Sequence, residues 1–192
     1  MPRVGLNPEI LVAEAARLVD EIGPERLTLS ALAERVGVAQ PTIYKHIDRI
    51  EGMHRLLALS VLRELGADVR RAATGKAGPA ALRAFATAYR DYARAHPGRY
   101  SYVVRPIPDD EVQHAISEIL SVLYAVLDGY GITGDDAVDA ARLIRSTMHG
   151  FVHLESNDGF QIPQSIDQSY ARLVDSLDTA LAAWRSPRSP SR

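Results

Sequence analysis

No cysteine occurs among the 192 residues. That excludes disulfides, thiolate metal sites and a cysteine nucleophile together, and it fits a reducing compartment. An excess of basic charge is also lacking: 22 lysines and arginines against 24 acidic residues leave a formal net charge of −2. Sequence-blind coating of nucleic acid rests on many phosphate contacts, so any contact with nucleic acid must be local. No window approaches the ~20 apolar residues of a membrane span. Met1 to Leu6 carries one arginine and no apolar stretch of signal-peptide length, so a cytoplasmic location and no membrane partner are expected. Nucleophile elbows, phosphate-binding glycine loops and clustered metal ligands are absent, which argues against an enzyme. There is no internal repeat.

What is present is an ordinary globular composition, 46% apolar and 24% charged, in a chain long enough for one large or two small domains. Apolar residues recur at helical spacing almost throughout, with no sustained strand alternation, so the fold class is all-α. Asn7-Pro8 reads as an N-cap followed by proline at the first helical position. Leu11, Ala15, Leu18 and Ile22 then form one stripe, closed by Gly23-Pro24. A second helix is expected from Thr28 to Val36, a short third over 40–47 and a fourth over 51–72. Ala73 to Pro79 is the clearest break in the chain. Beyond it the pattern predicts helices over 80–95, 99–104, 109–130 and 135–156, and a last one opened by Pro163 and ending near Trp184. The Ser/Pro/Arg-rich tail 186–192 is expected to be disordered.

The informative stretch runs from Leu27 to Ile47. Two short helices cross steeply only where their contact is small and their turn is tight. Ala33 supplies the small contact, and Gly37 can adopt the left-handed backbone that ends the first helix. Leu32, Val36, Val38, Ile43 and Ile47 form the apolar wedge. Gln40, Pro41, Thr42, Tyr44, Lys45 and His46 are left for the outward face, and no acidic residue occurs from Gly37 to Ile47. Such a surface suits phosphates and base edges.

Residues 27–57 resemble the DNA-binding domain of the tetracycline-repressor (TetR) family. The resemblance runs through Thr28-Leu29, Leu32-Ala33, Val36-Gly37-Val38 and Thr42-Ile43-Tyr44-Lys45-His46-Ile47. It implies a three-helix helix-turn-helix head (1–50), joined by a fourth helix (51–72) to a helical ligand-binding and dimerisation body (79–185). It implies a sequence-specific regulator, a repressor released from double-stranded operator DNA by a small, mostly apolar effector. By that resemblance Gln40 and Pro41 face base edges, where a glutamine can pair with adenine. Thr42, Tyr44 and His46 donate to phosphates, Lys45 touches either, and Thr28 adds a hydroxyl near the backbone while capping its helix. Ala39 stands where the family usually has a capping serine. The family's lysine at the start of the fourth helix falls at Ile50, and Arg49 is the candidate replacement.

In the body, Ile166, Tyr170, Leu173, Leu177, Leu181 and Trp184 form one stripe. The preceding helix is apolar on two sides, with Val138, Ala141, Ile144, Met148 and Val152 on one and Leu143, Phe151 and Leu154 elsewhere. A helix apolar on two faces must be covered twice. Burial in a monomer core would do this. The favoured reading is a homodimer through the last two helices, as in TetR-like proteins, which supplies two half-sites in register. Tyr89, Tyr92, Tyr100, Tyr102, Tyr124, Met148, His149 and Phe151 are the candidate effector-pocket residues. His149 and His153 lie four apart, a spacing compatible with a metal pair. They are read as satisfied interior or interface histidines, with no metal or cofactor expected; the alternative is a helical metal-dependent enzyme using them. Met148-His149-Gly150 also resembles the Trp-His-Gly signature of one C-terminal subclass of the family, with Met148 in place of the tryptophan.

Overall fold

A computed structural model describes residues 6–184; the expected disordered tail lies outside them. Among the described residues the chain is helical and has no strand. The first helix, α1 (Pro8–Ile22), starts where the Asn7 side chain accepts from the Ile10 amide at 2.8 Å, and Gly23 ends it at φ 83°. A 3-10 turn over Pro24–Arg26 leads to α2 (Leu29–Val36) and α3 (Gln40–Ile43). The long α4 (Ile50–Ala73) and α5 (Gly78–Ala95) follow, then a short α6 (Pro97–Val104). Three more helices complete the described residues: α7 (Asp110–Asp128), α8 (Gly134–Ser156) and α9 (Ile166–Ala182). None of these is long and apolar enough to cross a membrane.

Two boundaries depart from expectation, each for a local reason. The third helix closes at Ile43 rather than 47, because the Lys45 and His46 amides bond back to Thr42 and Ile43, winding the chain into turns. The last helix begins at Ile166 rather than Pro163. There the Ser165 hydroxyl accepts from the Gln168 amide at 3.2 Å, and this cap sets the start.

Contacts divide the chain into two compact units. One takes the chain up to Leu65 together with Ala95–Ile116; the other takes Gly66–Arg94 together with the chain from Ser117. The first unit thus holds α6, the start of α7 and α4 as far as Leu65 together with α1 to α3, and the boundary falls within α4 rather than at the break after it.

The core of the first unit is Leu11, Ala15, Val19, Leu32, Ile43, Met53, Leu57 and Tyr102, all essentially inaccessible. There α6 packs on the end of α1. Gly98 makes that approach possible, since a Cβ on it would sit 1.9 Å from the Val19 carbonyl oxygen. Beside it the Arg99 amide and Nε donate to Asp20, at 2.9 and 2.6 Å, and Nη1 reaches Glu64 on α4 at 3.0 Å.

The second unit buries Leu82, Phe85, Leu123, Leu127, Ile144, Met148, Val152, Tyr170, Val174, Leu177 and Leu181. Val138, expected on the buried side of α8, is instead 36% exposed, at the margin of the stripe formed by Ala141, Ile144 and Met148. Arg90 ties α5 to both ends of the α8–α9 connection. It meets Glu155 through two hydrogen bonds and Asp167 through a third at 2.7 Å. Its guanidinium also lies over the Tyr170 ring, 4.7 Å from the centroid.

Candidate nucleic-acid interface

Between Leu27 and Ile47 the chain forms two short helices in contact, as expected. Thr28 caps α2, its hydroxyl accepting from the Ala31 amide at 3.0 Å. Gly37 lies in the left-handed region at φ 70°, ψ 35°, and its amide closes the helix on Ala33 and Glu34. The turn brings α3 against α2. Ile43 and Ile47 point inward, at 0% and 2% exposure, against a core that includes Leu32 and Ala33.

With the apolar wedge turned inward, the other side of α3 is open. Ala39, Gln40, Pro41, Tyr44 and Lys45 are exposed, and Thr42 and His46 are half-buried. Tyr44, a large aromatic, stands 51% exposed. A ring left in water at the end of a four-residue helix contributes little to the core, so its position calls for a partner. The Gln40 amide nitrogen lies 3.5 Å from the Tyr44 hydroxyl, a long contact that leaves both groups free to pair elsewhere. Ala39 opens α3 in extended conformation without a side-chain cap, as expected from its lacking a hydroxyl. Thr28 and Arg49 are exposed on the same unit. Arg49 immediately precedes α4 and lies 3.7 Å from Asp48, a weak exposed pair.

Two carboxylates near the motif, Glu14 and Glu21, are drawn into pairs. Arg35 on α2 donates to Glu14 at 2.9 Å and to Glu21 at 2.6 Å. The hydrogen bond from Arg35 holds the Glu21 carboxyl below its ordinary value. Behind the motif, His54 on α4 and Tyr102 on α6 meet at 2.6 Å between Nδ1 and the hydroxyl. Burial pushes Tyr102 up to about 12 and, with Arg105 nearby, holds His54 below its usual range. Arg55 pairs with Asp109 and, at 3.1 Å, with Glu111. Glu14, Glu21, His54, Arg55, Asp109 and Glu111 belong to no motif, and no spacing in the sequence marks them.

The candidate effector residues divide between the units. Tyr100 and Tyr102 are core residues of the first. Tyr89, Tyr92 and Met148 are buried in the second, and His149 and Phe151 are half-buried there. Phe151 packs on Phe160 and Tyr170, with ring centroids 4.8 and 5.0 Å away. Tyr124 is 38% exposed, because α7 turns Leu123, Val126 and Leu127 inward and places it about a quarter-turn away. His149 and His153 lie on one side of α8 with ring centroids 5.9 Å apart. Among the described residues no group of three or more His, Cys, Asp or Glu is placed to hold a metal.

Two family models match the chain. Residues 11–48 match the bacterial regulatory proteins of the tetR family, and residues 82–177 match the tetracyclin repressor-like C-terminal domain. The chain belongs to the TetR family. It is 36% identical over 153 residues to an uncharacterized HTH-type transcriptional regulator of Mycobacterium tuberculosis, covering 78% of this chain and 70% of that one. A Rhodococcus protein of unknown function shares the fold at a TM-score of 0.81 and 23% identity, over 94% of this chain and 98% of that one. A TetR variant from Acinetobacter baumannii, in complex with minocycline, matches at a TM-score of 0.73 and 22% identity, over 95% and 99% of the two chains. This TetR-family chain is therefore a DNA-binding transcriptional regulator, with the helix-turn-helix where the sequence placed it.

Proposed function

We propose that this regulator is a cytoplasmic, non-catalytic repressor that grips its operator as a homodimer and releases it when a small, mostly apolar effector binds. The observation that carries the reading is the outward set of Gln40, Pro41, Tyr44 and Lys45 on a helix whose inner side is sealed by Ile43. In the major groove, Gln40 and Pro41 meet base edges, and Tyr44 and Lys45, with Thr42, His46, Thr28 and Arg49, hold phosphates.

A two-fold pair of such heads reads two half-sites one helical turn apart. The dimer is proposed through α8 and α9. Along the outward side of α8, Leu143 and Leu154 are 37% and 46% exposed, and Gly150 between them has open space where a Cβ would stand. Ile162 on the α8–α9 connection is 76% exposed. Such apolar exposure is what a second copy covers.

Effector recognition is assigned to the aromatic and polarizable groups of the second unit, Tyr89, Tyr92, Met148 and His149. The minocycline complex of the Acinetobacter neighbour supports a small organic effector in principle. No cofactor is required for operator binding in this scheme. Release follows if effector binding changes the spacing of the two recognition helices, since the duplex fixes half-site spacing.

The test has two arms. Effector affinity measured with and without operator must differ by the factor by which effector weakens operator binding; equal affinities exclude the release mechanism. Leu154→Arg is expected to yield monomers by sedimentation and to lose two-half-site footprints, whereas an unchanged dimer excludes this interface.

A further inference from the structure

We infer that His149 and His153 form a chelating pair for a borderline divalent transition metal, Cu2+ or Ni2+, on the side of α8. The two residues are one helical turn apart within a single uninterrupted helix, so their Cβ atoms are fixed on one face. Their rings are 5.9 Å apart between centroids and inclined by 37°. Metal–imidazole bonds of about 2.0–2.1 Å bring two rings on one ion to about 5 Å between centroids. His153 is exposed and its terminal torsion is broad, so a modest rotation closes that gap. His149 needs only one ring nitrogen for the ion. In such sites the second ring nitrogen of a metal-bound histidine normally makes a hydrogen bond that orients the ring.

The donor set decides the class of metal. Two imidazole nitrogens, with no thiolate, disfavour Mg2+ and Ca2+, which take oxygen ligands, and follow the order in which Cu2+ binds more tightly than Ni2+. Among the described residues no third acidic or imidazole group completes a cage. The remaining coordination positions fall to water or an exogenous ligand, so the ion exchanges and is not a structural zinc. The site lies outside the helix-turn-helix motif, and it departs from the expectation that the pair is satisfied without metal.

Calorimetric titration of the untagged full-length protein with NiCl2, in a non-coordinating buffer at neutral pH, tests the inference. A saturable site of one ion per chain is expected. His153→Ala, at an exposed position, should weaken it roughly tenfold or more, and His149→Gln should do the same. His114→Ala, an exposed histidine on α7, should leave it unchanged. Absence of saturable binding, or equal affinity in the wild type and His153→Ala, overturns the assignment. Because His153 is exposed, its variant keeps the test valid even if His149→Gln fails to fold.

Discussion

Arg90 and Glu155 face each other through two parallel hydrogen bonds, Nε to Oε2 at 2.8 Å and Nη2 to Oε1 at 2.7 Å, with both side chains largely withdrawn from water. The fork of the guanidinium matches the carboxylate edge to edge, a geometry that lysine cannot reproduce. Donating these hydrogen bonds to Glu155 raises the Arg90 pKa above its ordinary value. The same guanidinium holds Asp167 in the first turn of α9, so one side chain fixes where α8 ends and where α9 begins.

Removing one partner of this pair should therefore be worse than removing both. Arg90→Ala is expected to destabilise by about 3–5 kcal/mol, because it leaves Glu155 in a shielded site without its counter-charge. The double variant Arg90→Met with Glu155→Leu should recover much of that loss. Urea denaturation of the three proteins checks it, and equal midpoints for the single and double variants would contradict the coupling.

Gly98 offers a steric test of how α6 meets α1. A methyl group there runs into the Val19 carbonyl, which is backbone and cannot swing away. Gly98→Ala should cost at least about 1–3 kcal/mol and weaken operator binding by displacing the α1 end of the head. Gly52→Ala, on α4, is the control: nothing lies within 4 Å of the added methyl, and helix propensity favours alanine by roughly 0.5–1 kcal/mol. Thermal unfolding should separate the two variants in opposite directions.

On DNA, the exposed face of α3 should separate into two behaviours. Tyr44→Ala should weaken binding to all sequences alike, and Lys45→Ala should reduce the salt slope by about 1. Gln40→Ala should cost about 1–3 kcal/mol at one base pair of each half-site and relax discrimination there. Anisotropy titrations over a salt series, with operator and single-base variants, provide both readouts.

His54 gives the head a pH dependence of defined sign. Its folded-state pKa lies below the ordinary 6.5 because burial disfavours the charged ring and Arg105 adds to that. The unfolded chain therefore binds more protons near that pH, and stability rises with pH through the region. The contribution is complete above about 6.5 and is lost as pH falls through the lower folded value. His54→Gln should flatten the slope of stability between pH 7.5 and 5.5, measured as chemical-denaturation midpoints; an unaltered slope would assign the dependence elsewhere.

The sequence alone determined whatever is settled within about one helical turn. Asn7, Thr28 and Gly37 set helix ends through bonds to amides or carbonyls three or four residues away. The spacing of Leu32, Ile43 and Ile47 forced Gln40, Tyr44 and Lys45 outward, and so made that exposed face legible in the sequence. Only the tertiary structure could decide that α6 joins the first unit, that Arg90 closes on Glu155, or that Tyr124 faces away from the core. Those outcomes rest on groups 79 residues apart for Arg99 and Asp20, and 65 apart for Arg90 and Glu155. Bond geometry and periodicity act over one turn, whereas partners so distant in the chain are chosen by the packing of whole helices.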